Sequence, residues 1–309
     1  MQVVILGYTG SIGHFILREL FKQKNLNIIC VGRRIKKKTF NHYRIKYLKW
    51  DFLDYSMARA FFLKKADVII NCAGKIPSKS NNFEKINFIL IKKLINEILK
   101  IKKTIRLIQL SSVSVYGANK KYLLKKISIT ENFPEAPNDS YAFSKLKADL
   151  YIKKIVKNNN KYFSYSILRI TNVIGLKNES NLFRFFKFFI KCSLRFNFSS
   201  HVVFNFIHVK DVAKAVLLTL LKLNVSKNKI YIVSNDQLYC EINKIYSNIN
   251  KFINISLPKF FFRFIFFLFS NQSKIIKFFS TISSEISYSN NKIKKELGFN
   301  PKFSIKDFF

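Results

Sequence analysis

The chain has few cysteines and no arrangement of them that would hold a metal. Cys30, Cys72, Cys192 and Cys240 form no CxxC pair and no zinc-like spacing, so no metal site is expected. Cys30 and Cys72 fall inside apolar, strand-like runs and read as buried, inert thiols. A bilayer-spanning run is also missing. The most lipid-like stretch, residues 260–269, carries Arg263 and is too short against the roughly 20 residues a spanning helix needs. Met1 leads directly into the apolar run Val3 to Leu6, with no room for a signal peptide, so a reducing cytoplasm is the expected location. Glycine, proline and tryptophan are scarce, at 8, 5 and 1, while 49% of residues are hydrophobic, which excludes a disordered chain.

Acidic residues are scarce too, 17 against 55 Lys and Arg, for a net charge of +38. Such a balance ordinarily indicates nucleic acid or an anionic surface. Here the basic residues occupy nearly every segment, among them Lys36 to Lys38, Lys120 to Lys126, Lys153 to Lys157 and Lys292 to Lys295, and form no single stripe. The accompanying excess of Phe, Ile, Asn and Tyr is what A- and T-rich codons produce. Compositional drift therefore accounts for the charge, and no nucleic-acid partner is expected. Whether the charge also serves function stays open; either way the surface attracts anionic small molecules such as phosphates. Residues 183–198 place Arg184, Lys187, Lys191 and Arg195 on one helical face among phenylalanines. A solvated face on a packed helix is the first reading, and peripheral membrane contact the second.

What is present is an alternation of short apolar runs with longer amphipathic ones. Strands are expected at residues 3–6, 28–31, 45–50, 68–72, 106–110 and 166–170, and helices at 12–21, 57–62, 83–99 and 141–156. The pattern predicts an α/β fold, a Rossmann-type doubly wound parallel sheet with a smaller, interleaved C-terminal substrate-binding domain. The dinucleotide-binding part should cover residues 1–173, with returns near 203–216 and 229–235. Residues 174–309 should mainly bind substrate. At 309 residues one generous core, with a small appended domain, is what the length permits.

Gly7-Tyr8-Thr9-Gly10-Ser11-Ile12-Gly13 follows the first strand and opens a helix. Glycine is needed there for the tight turn, for approach of the backbone to a pyrophosphate, and for close helix–strand packing. The helix start then offers free N–H groups and a positive dipole end. Gly7, Thr9, Gly10, Ser11, Ile12 and Gly13 are thus cofactor-binding candidates. After the second strand stands Arg33, where an acidic residue would suit NAD and an arginine suits the 2′-phosphate of NADP, so NADP is expected over NAD. Asp51, with Phe52 beside it, is a candidate for the adenine end.

Tyr141 and Lys145 stand four residues apart on one helical face. A free tyrosine titrates near ~10 and is a poor base at neutral pH, and a nearby ammonium favours the phenolate. That pairing suits general acid–base work. Ahead of it, the strand at 106–110 runs into Ser111-Ser112-Val113-Ser114-Val115-Tyr116-Gly117, which presents hydroxyls at the carboxyl edge of the sheet, where open α/β sheets bind ligands.

Taken together these motifs resemble the NAD-dependent epimerase/dehydratase family of extended short-chain dehydrogenases/reductases. The likeness also rests on Asp67 to Gly74, on Asn87, on Thr130 to Pro134, on Leu168 to Gly175, on Phe206 to Ala213 and on Leu297 to Pro301. The resemblance implies an enzyme moving a hydride to or from a hydroxyl or keto group of a sugar, nucleotide-linked in most members. Tyr141 would be the acid–base. Lys145 would bond the nicotinamide ribose, and Ser112 would hold the substrate oxygen. Cys72, Ala73, Gly74 and Asn87 would line the cofactor, and Ser114 and Asn172 would face substrate. His208 reads as a packed histidine and Asp211 as a helix cap. The family also implies a homodimer through the helices at 83–99 and 141–156. Two departures narrow it. Dehydratases carry an acidic pair after the hydroxyl residue, whereas Val113 and Ser114 follow Ser112 here, which disfavours dehydration. Phe204 stands where many epimerases grip a diphosphate with arginine, leaving the substrate open between a nucleotide sugar and another hydroxy or keto compound. A reductase or a 4-epimerase is expected. The alternative is a non-catalytic dinucleotide sensor or RNA-binding protein on the same fold.

Overall fold

The computed structural model describes residues 1–35, 40–50, 61–74, 83–117, 127–158, 161–175, 194–197, 205–236, 253–256 and 286–303. The strands are β1 (Gln2–Leu6), β2 (Asn27–Gly32), β3 (Ile45–Lys49), β4 (Val68–Asn71), β5 (Ile105–Ser112), β6 (Ile127–Ile129), β7 (Phe163–Ile170), β8 (Asn172–Ile174), β9 (Leu194–Asn197), β10 (Phe206–His208), β11 (Lys229–Val233), β12 (Ile253–Ser256) and β13 (Ile286–Tyr288). The helices are α1 (Ser11–Phe21), α2 (Phe61–Lys65), α3 (Leu90–Ile101), α4 (Ser140–Lys157), α5 (Val209–Leu221) and α6 (Asn291–Leu297).

Seven strands form one sheet in the order β11-β7-β5-β4-β1-β2-β3, and every pairing in it is parallel. This is the doubly wound Rossmann-like arrangement that the alternating pattern predicts. A parallel sheet is covered on both faces, so its central strands must be apolar on both. β1 meets that demand. Val3 and Ile5 enter one core with Leu17 and Leu20 of α1 and Val212 and Val216 of α5. Val4 and Leu6 enter the opposite core with Leu94, Ile95 and Ile98 of α3 and Ala148 and Ile152 of α4. The strand period of two sends alternate residues to the two layers.

β7 begins at Phe163, earlier than the expected 166, and is buried along its whole length. Ser164, Ser166 and Arg169 hide a strand signal there, because each is buried beside β5 and β11. The expected helix over 83–99 is present without a break and contains a π turn. A π-helical turn at Lys85–Ile89 precedes α3, which extends to Ile101. Of the expected helix at 57–62 only the end is described, as the start of α2. Short parallel pairs, β8 with β10, β6 with β13 and β9 with β12, lie outside the main sheet. Most of residues 174–309 lies outside the described residues, Phe204 and much of 183–198 included. No helix among the described residues is long and apolar enough to cross a membrane.

Asp211 is not a helix cap. His208 caps α5 by accepting the Lys210 N–H at Nδ1, while Asp211 accepts the backbone N–H groups of Lys302 and Phe303, each at 3.1 Å. His208 is buried and lies against the Phe303 ring, as a packed histidine should.

Candidate active site

The strand order reverses between β1 and β4, so their connections leave in opposite directions and open a crevice at the carboxyl edge. The glycine turn lies in that crevice. Gly7 has φ +83°, and a Cβ on it would stand 2.8 Å from the Ala73 backbone nitrogen. A Cβ on Gly13 would stand 2.4 Å from the Gly7 carbonyl oxygen. These neighbours are backbone and cannot yield. Gly10 is the N-cap of α1, without any side-chain cap, and no acid stands in the first turn. The helix start thus presents N–H groups and a positive dipole end behind an N-cap residue that has no side chain. Backbone that tolerates no Cβ, ending in an uncapped helix, fits a dinucleotide pyrophosphate. Thr9 and Ile12 are half-buried and Ser11 is exposed along this turn.

Gly13→Ala is expected to abolish dinucleotide binding and to lower stability by about 1–3 kcal/mol, the range for overpacking. Titration with NADH and a thermal melt would check both; full binding by the variant would contradict the cradle.

Arg33, at the end of β2, is exposed, and a Cβ on Gly32 before it would crowd the side chains of Tyr8 and Thr9 of the turn, at 3.2 and 3.3 Å. Asp51 and Phe52 lie outside the described residues. On the other side, β4 delivers Asn71, whose side chain donates to Gln109 and accepts the Ala73 N–H. That fixes the path of Cys72, Ala73 and Gly74. A Cβ on Gly74 would meet Lys145 Nζ at 3.2 Å and Asn87 Oδ1 at 3.4 Å, so the glycine gives room for both.

Asp139 caps α4 by accepting the Ala142 N–H at 2.7 Å, which aims the first turn of the helix at the end of β5. Lys145 is buried and its Nζ donates to the Leu110 carbonyl at 3.1 Å. The same Nζ lies 6.0 Å from the centre of the Tyr141 ring. Ser112 ends β5 and caps the short 3-10 turn Val113–Tyr116, its Oγ accepting the Ser114 N–H at 3.2 Å. Its side chain stands next to the Tyr141 phenol and pulls its pKa down. Asn87 sits buried in the π-helical turn and donates to Ser144 Oγ at 3.0 Å, which in turn donates to the Tyr141 carbonyl. A π turn inside a helical run often marks a functional position. Gly117 closes the segment with φ +69°, where a Cβ would collide with the Ala136 carbonyl.

Electrostatics differ from what the helix spacing alone suggests. Burial holds the Tyr141 phenol above its ordinary value; Ser112 beside it opposes this, and Asp139 and Asp149 add to it. Burial also pulls Lys145 down to about 8, against the upward pull of Asp149 and Cys72. Tyr141 therefore carries its proton at neutral pH. The Cys72 thiol, pushed up to about 12 by burial, is inert there.

Ser114 is half-buried, and its Oγ has no hydrogen-bond partner among the described residues. Asn172 is exposed just beyond β7 and donates to the Asn205 carbonyl at 3.1 Å. Ser112, Tyr141 and Lys145 are thus brought together beside Gly74 and Asn87. Ser144 and Asp149 join this neighbourhood without having been singled out in the sequence, although both lie on the same helix as the tyrosine and lysine.

Residues 3–234 match the NAD dependent epimerase/dehydratase family. The chain belongs to that family. A nicotinamide dinucleotide is the cofactor the family name carries, and the cradle at Gly7 to Gly13 fits one. One curated relative, ADP-L-glycero-D-manno-heptose-6-epimerase of Brachyspira hyodysenteriae, is 30% identical over 205 residues, covering 63% of this chain and 59% of that protein. The matched region is therefore less than two thirds of the relative's length. Among solved structures, UDP-glucuronic acid 4-epimerase from Bacillus cereus in complex with NAD superposes with a TM-score of 0.71 at 17% identity, covering 99% of this chain and 94% of that one. The terminal R domain of the myxalamid PKS-NRPS pathway superposes at 0.75 with 17% identity, over 98% and 87% of the two chains. At such identities these likenesses establish the fold.

Proposed function

We propose that this protein is a nicotinamide-dependent epimerase of a nucleotide-linked sugar, with Tyr141 as acid–base. The observation that carries the reading is the convergence of Ser112 at the end of β5 with Tyr141 and Lys145 of α4, at the edge of the glycine cradle. The nicotinamide, when bound, supplies hydride removal from a carbinol carbon and its return. The chain's own residues handle the proton and the oxygen. Tyr141 is protonated in the unliganded protein; it would ionise once a cationic nicotinamide is bound, and as the phenolate take the hydroxyl proton as the substrate is oxidised to a ketone, giving it back when the ketone is reduced from the opposite face. Ser112 donates to the same oxygen and steadies the charge that develops on it. Lys145 donates to the nicotinamide ribose. Ser114 and Asn172 face the substrate, and Gly7, Thr9, Gly10, Ser11, Ile12 and Gly13 hold the pyrophosphate. Cys72, Ala73, Gly74 and Asn87 line the nicotinamide end, and Asp51 and Phe52 the adenine end.

Support for a sugar substrate comes from the relatives, which are named as epimerases of ADP-heptose and UDP-glucuronic acid. The absence of a carboxylate at Val113 and Ser114 supports epimerisation over dehydration. Residues 174–309 supply most of the substrate-binding part, and the cytoplasm is the site of action. Phe143 and Leu150, exposed on one face of α4, support pairing of two copies through α3 and α4. A second reading, a keto-sugar reductase, draws on exposed Arg33, which suits NADPH.

The deciding experiment is to recover the dinucleotide from denatured purified protein and to incubate the enzyme with UDP-hexoses and ADP-heptose. Tightly held NAD and interconversion of sugar epimers without added cofactor are expected. Consumption of one NADPH per sugar reduced would replace the epimerase with the reductase. Turnover of no sugar, with no retained dinucleotide, would overturn both.

A further inference from the structure

We propose that Ser144 is a positioning residue for the site, its hydroxyl tying the Asn87 amide of the π turn to the Tyr141 backbone, so that the cofactor side and the substrate side of the crevice keep one register. The inference rests on the function proposed above. Ser144 follows Tyr141 by three residues, precedes Lys145 by one, and is buried. Its Oγ donates to the Tyr141 carbonyl oxygen at 2.7 Å and accepts from Asn87 Nδ2 at 3.0 Å. A hydroxyl has one proton to give. With that proton committed to Tyr141, only lone pairs are left to face Asn87, so the amide turns its nitrogen toward the serine. Its carbonyl oxygen is turned toward Gly74. A Cβ on Gly74 would lie 3.4 Å from Asn87 Oδ1 and 3.2 Å from Lys145 Nζ, so both groups border the same opening.

A serine in a helix commonly bonds back to a carbonyl one turn earlier, and that bond alone would be a local matter. The second bond is not local. Asn87 stands 57 positions away, on a different element, and is itself buried. It reaches Ser144 from the π turn Lys85–Ile89. Just ahead of that turn stands Phe83, whose ring is edge-on to the Tyr141 ring with centres 6.0 Å apart. Tyr141 is therefore held from residues 83–87 at two points, its ring by Phe83 and its carbonyl through Ser144. On the outside of the same junction Glu84 pairs with Lys147 at 2.7 Å, but both side chains are more than half exposed and such a pair contributes little. The buried hydroxyl is the tie that sets the register.

Ser144→Ala removes the hydroxyl and keeps a good helix former. The test is the dissociation constant of NAD by calorimetry for the parent, Ser144→Ala, Asn87→Ala and the double variant. Beside it stand kcat and KM for sugar at saturating dinucleotide, and a thermal melt. Ser144→Ala should bind NAD about fivefold more weakly and turn over about tenfold more slowly, with KM for sugar within about twofold of the parent. Asn87→Ala should weaken NAD about tenfold. The double variant should bind no more weakly than Asn87→Ala, because Ser144 reaches the cofactor only through that amide. Losses that multiply in the double variant overturn the proposal. So does a Ser144→Ala protein that melts lower yet binds NAD and turns over like the parent, which is what a merely structural hydroxyl gives. If Asn87→Ala does not fold, Asn87→Ser replaces it; should that fail too, the Ser144→Ala losses alone decide. A parent that binds NAD but turns over no sugar would sink the proposed function, while the NAD constants would still decide the role of Ser144. A parent that binds no NAD would sink the cradle and this proposal together.

Discussion

Tyr141→Phe is expected to lose turnover by about 10³-fold while binding the dinucleotide with near-parent affinity. The variant removes one oxygen from a helix whose cap at Asp139, packing at Ala142 and lysine at Lys145 stay in place. On the function proposed above, cofactor affinity is set elsewhere, by the glycine turn and by Lys145. The phenol is held above its ordinary value, first by burial and against the pull of Ser112, so its proton is on the oxygen until a cationic cofactor binds. The serine hydroxyl beside it, Ser112, is an alcohol that is far less acidic than a phenol and so is a poor replacement for it. Steady-state kinetics with sugar, together with NADH titration, would check both halves. Turnover within tenfold of the parent would remove Tyr141 from the chemistry.

Arg169→Met should be the most destabilising of the single substitutions considered, costing about 3–5 kcal/mol at neutral pH. Arg169 and Asp149 are both fully buried, and the guanidinium joins Asp149 to Glu135 across the back of the site. Methionine matches much of the volume but leaves Asp149 with Ser111 alone. Burial already pushes the Asp149 carboxyl up, with Arg169 the first of the groups opposing it, so the variant should raise it further. A carboxyl raised in the folded state binds more protons folded than unfolded, so the penalty is absent below the unfolded value near ~3.9 and complete above the raised folded value. The variant should therefore recover relative stability on acidification. Glu135 works in the opposite sense in the parent: burial would raise it, but Arg169 and Lys153 hold it below the usual range, a stabilisation lost as pH falls through that lowered value. Thermal melts from pH 4 to 8 would check this, with a drop of roughly 5–15 °C at pH 7. A melting temperature unchanged at pH 7 would show that the pair contributes nothing net.

Both effects arise from a site that was partly legible in the sequence. The glycine turn, the Tyr141–Lys145 spacing and the hydroxyls after β5 each follow a local rule, one residue type at one interval. Local rules of that kind also predict the parallel sheet, since β1 alternates Val3 and Ile5 against Val4 and Leu6. They misplace Asp211, because what it binds, the backbone at 302–303, arrives from far along the chain. They also miss the π turn that seats Asn87, whose partner Ser144 lies 57 positions away.

The sequence alone determined the alternation of strands and helices, the cradle at Gly7 to Gly13 and the helical face shared by Tyr141, Lys145 and Asp149. Tertiary structure alone decided the charge state of that face. Helix spacing suggests a nearby ammonium lowering a phenol. Packing of α4 onto β5 and β7 instead buries Lys145 and covers part of Tyr141, raising Tyr141, lowering Lys145 to about 8 and setting Asp149 against Arg169. Desolvation depends on everything that covers a group, and the strands that cover these come from separate parts of the chain.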